Sequence, residues 1–583
     1  MFGKTTTVLF WVCACVCFAA FHRGLCRRFG GLKPVAVANS ALERWRPWLI
    51  AAAVTLAAGL GLFARLYQFP ALPAGVNQDG AMAASDAIAL ATYGTDRLGT
   101  PWPAHMEAWG HGQMSALLTY MLAGAFRLFG VSRLALRLPQ MIVSLASIAV
   151  FCDFARRTLG KNFGWLALAL LLINPWHIMQ SRWTIDCALF PHFFLFGAYC
   201  LLRGYERKAW YYAAIAFFGL SMYSYGIALY TVPPFLAVAV VALLCQKRIR
   251  WPDAALCAAL YLAICAPFLA VMILNAVGGE TFTLFGLTIQ RFDHSIRSAE
   301  IVLMQPDKYA GFAGNAAHLL NVLLFQLGGY LYMSLPEYGS HYLFAMPLLL
   351  VGVAAFVGDR ISKRQPWLQA ERQQTRWGML LMILWLLAAV WAALNTDEPH
   401  LGRSAILMYP VIFMMAYAVY LICKRRRLLA VLLAAIFAFG AVRFTGDYFS
   451  HKHQHNLGRL YYSGLVDAME ATRGRPMDTL YVTLTFPEET PYGMPIEVLV
   501  EYAARLDAKY VHQSAPIADA DGRVWRPFAE RYRRAEMDKL RIDPQAEALY
   551  IIFAPDRAYF DPDAFAFERF GDYYLVTPNV LLE

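Results

Sequence analysis

Apolar runs approaching the roughly 20 residues that cross a bilayer recur along the chain as far as residue 444, with short polar stretches between them. Eleven read as spans: 47–66, 138–155, 163–174, 187–202, 210–225, 228–245, 254–274, 342–357, 378–394, 405–423 and 428–442. Two more segments, 113–129 and 317–333, are apolar enough to count on hydropathy alone. Beyond 444 the pattern changes. Alternation over 479–485 and 548–553 predicts strands, and the period over 496–506 predicts a helix between them. The chain therefore divides into residues 1–46, with an anchor helix and a basic linker, a membrane domain over 47–444, and a small soluble domain over 445–583.

Charge decides which apolar segments cross. Lys and Arg cluster at 156–161, 203–208, 247–250, 360–364 and 424–427, and cytoplasmic loops carry such clusters. Starting with 23–46 inside, a crossing at 113–129 would put three successive basic loops outside. The same parity argument applies to 317–333. Both segments therefore read as helices lying in the outer interface. The outer face then holds the loops 69–137 and 275–341, the turns at 177–186, 225–226 and 395–404, and the tail. The first apolar stretch, 7–21, is followed rather than preceded by positive charge, which predicts an uncleaved anchor. The expected fold is an all-α polytopic membrane domain of eleven core spans plus that anchor helix, with a C-terminal α/β extracytoplasmic domain. The expected location is the plasma (inner) membrane, with the site outside.

Composition agrees. Of 583 residues, 59% are hydrophobic and 16% charged, against about a quarter charged in soluble chains. The net charge of +11 is carried by the inter-span loops, so no nucleic acid partner is expected. Most of the 11 Cys lie inside apolar runs and none in the tail, so they read as packing residues and not as a disulfide framework.

The chemistry-capable residues gather on the outer face. Asp79, in Val76-Asn77-Gln78-Asp79-Gly80, follows the first core span. It reads either as a helix N-cap or as a general base held at the membrane surface. Trp109-Gly110-His111-Gly112-Gln113 opens the first surface helix, where a helix N-terminus suits a phosphate; His111 and Gln113 are its binding candidates. Arg182 and Asp186 stand four apart, on one helical face, and read either as an Arg–Asp pair that caps a span or as functional charges. Charges this near hydrocarbon usually have a functional cause. Glu337 is a candidate sugar-hydroxyl acceptor. Arg403, at the head of a span, suits a phosphate. No sequence motif demands a cofactor. A divalent metal ion would fall to Asp79 and Asp186.

With those segments in place, the chain resembles the C-type (GT-C) glycosyltransferases, in the branch of protein O-mannosyltransferases and lipid A aminoarabinose transferase. The resemblance rests on the acidic motif after the first core span, the phrase LFGVSRLALRLP at 128–139, the Arg…Asp segment over 175–191, and the phrases SYGIALYTVPP at 224–234 and GRSAILMYP at 402–410. It covers roughly 47–442. Relatives often show two adjacent acids where Asp79 precedes Gly80, and Lys-Pro-Pro where this chain has Trp109–Gln113. The resemblance implies transfer of a sugar from a polyprenyl-phosphate donor to an acceptor hydroxyl on a lipid, glycan or protein. By the resemblance Asp79 would be the base and Asp186 the second acid; on chemical grounds Arg182 and Arg403 would stabilise the leaving phosphate. The rival reading is a transporter or flippase for a lipid-linked substrate; such proteins show inverted repeats and midplane charges, whereas here the charges lie at one surface.

Overall fold

The computed structural model of the chain describes residues 9, 12–17, 40–108, 112–292, 301–326, 331–361, 373–397, 399–425, 427–485, 497–505, 517–518, 524–525 and 532–582. It is mostly helical, with a small C-terminal sheet domain. Among the described residues seven helices are long and apolar enough to cross a membrane: Arg133–Leu159, Asp186–Gly204, Ala228–Cys245, Trp251–Val277, Gln374–Asn395, Ala405–Lys424 and Leu429–Tyr448. The other four expected spans are shorter apolar helices, Ala51–Leu66, Lys161–Leu172, Ala209–Ser221 and Leu343–Phe356. The anchor expected over 7–21 lies largely outside the described residues, although Cys13 and Cys17 pack into the main core.

The polar ends of these helices sort into two sets, and each set contacts itself. In the first, Arg157 pairs with Asp153 and Glu206, Gln374 donates to Glu206, Lys208 pairs with Asp253, and Arg248 lies over the Tyr205 ring. These are the basic loops. In the second, Leu117 N–H donates to the Tyr223 carbonyl and Ala104 N–H to that of Thr288. Trp176 N–H donates to the Ser340 carbonyl, and Asn315 donates to the carbonyl of Leu394 at 3.0 Å. These are the loops and turns that charge parity assigns to the opposite face.

The two ambiguous segments are also helical. Ala116–Phe129 has 14 residues, a rise of about 21 Å, short of the roughly 30 Å hydrocarbon core. It buries Leu118, Thr119, Leu122, Ala125 and Phe126 along one stripe. The second helix is Lys308–Phe325. It stops short of 333 because Gln326 adopts a left-handed backbone, and its side chain bonds the backbone at Tyr342 and His341.

The tail forms a five-stranded mixed sheet in the order 565–570, 573–578, 548–553, 479–483, 532–535. The two strands read from alternation, Thr479–Thr483 and Ala548–Phe553, pair in parallel near its centre. The expected helix is Glu497–Ala504. One hydrophobic core joins this domain to the membrane-side loops: Leu499, Tyr502, Leu549 and Leu575 share it with Ala83, Ala87 and Leu122.

Candidate active site

The first carboxylate sits at the start of a helix whose geometry the sequence dictates. Helix Gln78–Tyr93 begins after Asn77, whose side chain accepts from the N–H groups of Asp79 and Gly80. Asn77 is therefore the N-cap, correcting the capping role considered for Asp79. Asp79 lies in the first turn, half-buried, where a helix N-terminus favours negative charge.

Asp186 is brought to the same place from more than a hundred residues away. Gly80 packs so tightly on the Thr184 carbonyl that a Cβ would collide with it. Thr184 in turn donates to the Leu136 carbonyl at 2.9 Å. Two residues on, Asp186 is also half-buried. Both carboxylates lie within electrostatic reach of the Cys187 thiol, and Asp79 within reach of the Tyr332 hydroxyl. Trp183 and Tyr461 wall this region, with ring centroids 4.9 Å apart and Tyr332 beside both.

The expected Arg182–Asp186 pairing on one helical face does not form. Helix Pro175–Gln180 ends at Ser181, and Ile185 is extended, with φ −154° and ψ 140°. Spacing of four aligns side chains only where the chain is helical. The Arg182 guanidinium instead donates to the carbonyls of Ala64, Arg65, Tyr67 and Leu72 and lies 5.1 Å from the Phe449 ring centroid.

The Trp109–Gln113 phrase does not open a helix. Gln113 is in the strand Gly112–Met114, paired with Glu107, and the helix begins at Ala116 after Ser115. His111 lies outside the described residues. Glu337 is exposed and lines a separate cavity with Tyr338, Arg443 and Asp447. Arg403 faces Asp397 at 3.8 Å. Its turn packs close to the Asp79 region, because Gly402 contacts Met333, next to Tyr332.

Arg137, Cys187, Tyr332 and Tyr461 escape the sequence reading as site residues. Arg137 lies in the motif at 128–139, but nothing in the pattern shows where its side chain goes. It donates to the carbonyls of Pro70, Pro73 and Gly75. Among the described residues no group of three or more His, Cys, Asp or Glu could hold a metal. The Asp79–Asp186 pair is by chemistry a hard-cation donor set that needs further oxygen ligands.

Residues 114–270, which include Arg137, Arg182 and Asp186, match the family described as dolichyl-phosphate-mannose-protein mannosyltransferase. No curated protein matches the chain. Among solved structures, the chain is similar to ArnT from Cupriavidus metallidurans bound to undecaprenyl phosphate, at 13% identity and a TM-score of 0.47, covering 91% of this chain and 97% of that one. It is also similar to the oligosaccharyltransferase AglB from Archaeoglobus fulgidus in complex with an inhibitory peptide and a dolichol-phosphate, at 13% identity and 0.44, over 79% and 64%.

Proposed function

We propose that this protein is a membrane glycosyltransferase that moves a sugar from a polyprenyl-phosphate-linked donor to an acceptor hydroxyl. The observation that carries the reading is the contact of Gly80 with Thr184, which brings together the segments carrying the half-buried Asp79 and Asp186. The family match, whose name specifies a lipid-phosphate sugar donor, supports it.

In this reading the acceptor oxygen attacks the anomeric carbon and its proton passes to the Asp79 carboxylate. The bond from that carbon to the phosphate oxygen breaks, and the lipid phosphate leaves with the electron pair. Attack opposite the leaving group inverts the anomeric centre. Asn77 and not Asp79 caps the helix, and a carboxylate held in the first turn can take the proton. Asp186 orients the reacting groups from the facing segment. If a divalent cation binds here, Asp79 and Asp186 are the carboxylates placed to hold it, and it would supply positive charge to the phosphate. The site and the C-terminal domain face the extracytoplasmic side, because the opposite end carries the basic loops.

The test uses purified protein in lipid nanodiscs with polyprenyl-phosphate-linked hexoses and pentoses. Release of free polyprenyl phosphate with one of them is expected. Movement of intact donor between leaflets of proteoliposomes, with no bond cleavage, would establish the carrier reading instead.

A further inference from the structure

We infer that Arg137 and Arg182 form a two-guanidinium clamp that sets the position of Asp79, which makes both of them positioning residues; this rests on Asp79 being the base. The chain between the end of helix Ser40–Leu66 and Asn77 has no regular structure. Its carbonyls have no ladder to join, and near hydrocarbon each unpaired one costs free energy. Two buried arginines meet that need. Arg182, fully buried, takes the carbonyls of Ala64 and Arg65 in the last turn of that helix and of Tyr67 and Leu72 beyond it. Arg137, 2% exposed, takes those of Pro70, Pro73 and Gly75. Distances run from 2.5 to 3.1 Å. Asp79 follows four residues after the last carbonyl held.

The clamp and the site share one frame. Arg137 adjoins Leu136, and Arg182 lies two residues before Thr184; Leu136 and Thr184 are hydrogen-bonded to each other. Gly80 rests on that same Thr184. The loop is thus tied on one side to the guanidiniums and, just beyond Asp79, to the segment that ends in Asp186. Among the described residues neither arginine forms a salt bridge. Their charge is met by carbonyl dipoles and by rings, Arg137 over Trp183 at 5.8 Å and Arg182 over Phe449. With both terminal nitrogens of Arg182 each shared by two carbonyls, this arginine serves the loop and not a phosphate. A lysine ammonium, a point donor, cannot span carbonyls so far apart.

The experiment compares Arg137→Lys, Arg182→Lys, Arg137→Ala and Asp79→Asn in the nanodisc transfer assay, scored per folded molecule. A displaced base costs rate more than donor affinity, so kcat is expected to fall about 10- to 100-fold in both lysine variants. KM for the lipid donor should stay within about twofold. Methylguanidinium added to Arg137→Ala should recover several-fold activity by refilling the vacated site. Folded lysine variants with wild-type kcat would overturn the clamp. So would an unchanged kcat with a raised donor KM, which is the signature of phosphate binding. Loss of folded protein with full activity in the folded fraction would also overturn it, as a purely structural role. Should the alanine variant fail to fold, the lysine variants carry the test. A fully active Asp79→Asn would remove the underlying base assignment, an outcome separate from any arginine result.

Discussion

At Gly80 one methyl group decides whether two distant segments can meet. A Cβ there would stand against the Thr184 carbonyl closer than real Cβ atoms approach, and backbone on backbone cannot give way as a flexible side chain can. Gly80→Ala should therefore destabilise the protein by about 1–3 kcal/mol, the usual cost of overpacking, and lower turnover by separating Asp79 from Asp186. Gly124→Ala is the control, because nothing lies within 4 Å of a Cβ at that position. Thermal unfolding and turnover measured side by side check both; an unchanged Gly80→Ala protein would contradict the contact. Asp79 and Asp186 stand out in the sequence as candidates because carboxylates at the ends of apolar spans are costly and conspicuous. The role of Arg182 was not legible, because its spacing to Asp186 suggests a pair only if the turn is helical. Arg137 sits in a phrase that stands out, yet its seat among the carbonyls of Pro70, Pro73 and Gly75 depends on a fold that brings together segments more than 60 positions apart.

Among the elements, helix Ala116–Phe129 separates hydropathy from topology. Its composition would let it count as a span, and the parity of the basic loops argues against that. The structure ties its start to the Tyr223 carbonyl and packs its buried stripe into the core shared with helix Gln78–Tyr93 and the C-terminal domain. Single cysteines at Trp102 and Leu128, both exposed, should therefore label from the same side of the membrane with an impermeant reagent. Labelling from opposite sides would show that the helix crosses. Of the C-terminal strands, those at 479–483 and 548–553 were legible from alternation, and those at 532–535, 565–570 and 573–578 were not. The hairpin Met106–Ala108 with Gly112–Met114 was not, since a glycine-flanked polar phrase before an apolar run looks the same whether it leads into a helix or a turn.

For the whole molecule, the tail is a buttress to the site as well as a domain of its own. Helix Glu497–Ala504 packs on helix Gln78–Tyr93, whose first turn holds Asp79. Arg133 pairs with Asp467 across the same junction. On the same helix as Asp79, Asp86 is buried against Arg97 at 2.6 Å, and burial, with Arg97 only partly offsetting it, pushes its carboxyl up to about 7. Gln454 accepts from the N–H of Ala74 at 2.9 Å, so the tail also touches the loop the arginines hold. The change of pattern after 444 is legible in the sequence, although helix Arg427–Tyr448 runs through it; the shared core is not legible, because a sequence boundary carries no record of what packs across it. All these contacts converge on the position of one carboxylate, and its replacement is the most direct test. Asp79→Asn keeps the shape and leaves the Asn77 cap in place while removing basicity. Sugar transfer by the purified, folded variant should fall by roughly 100-fold or more with donor binding little changed. Transfer at the wild-type rate would contradict the account.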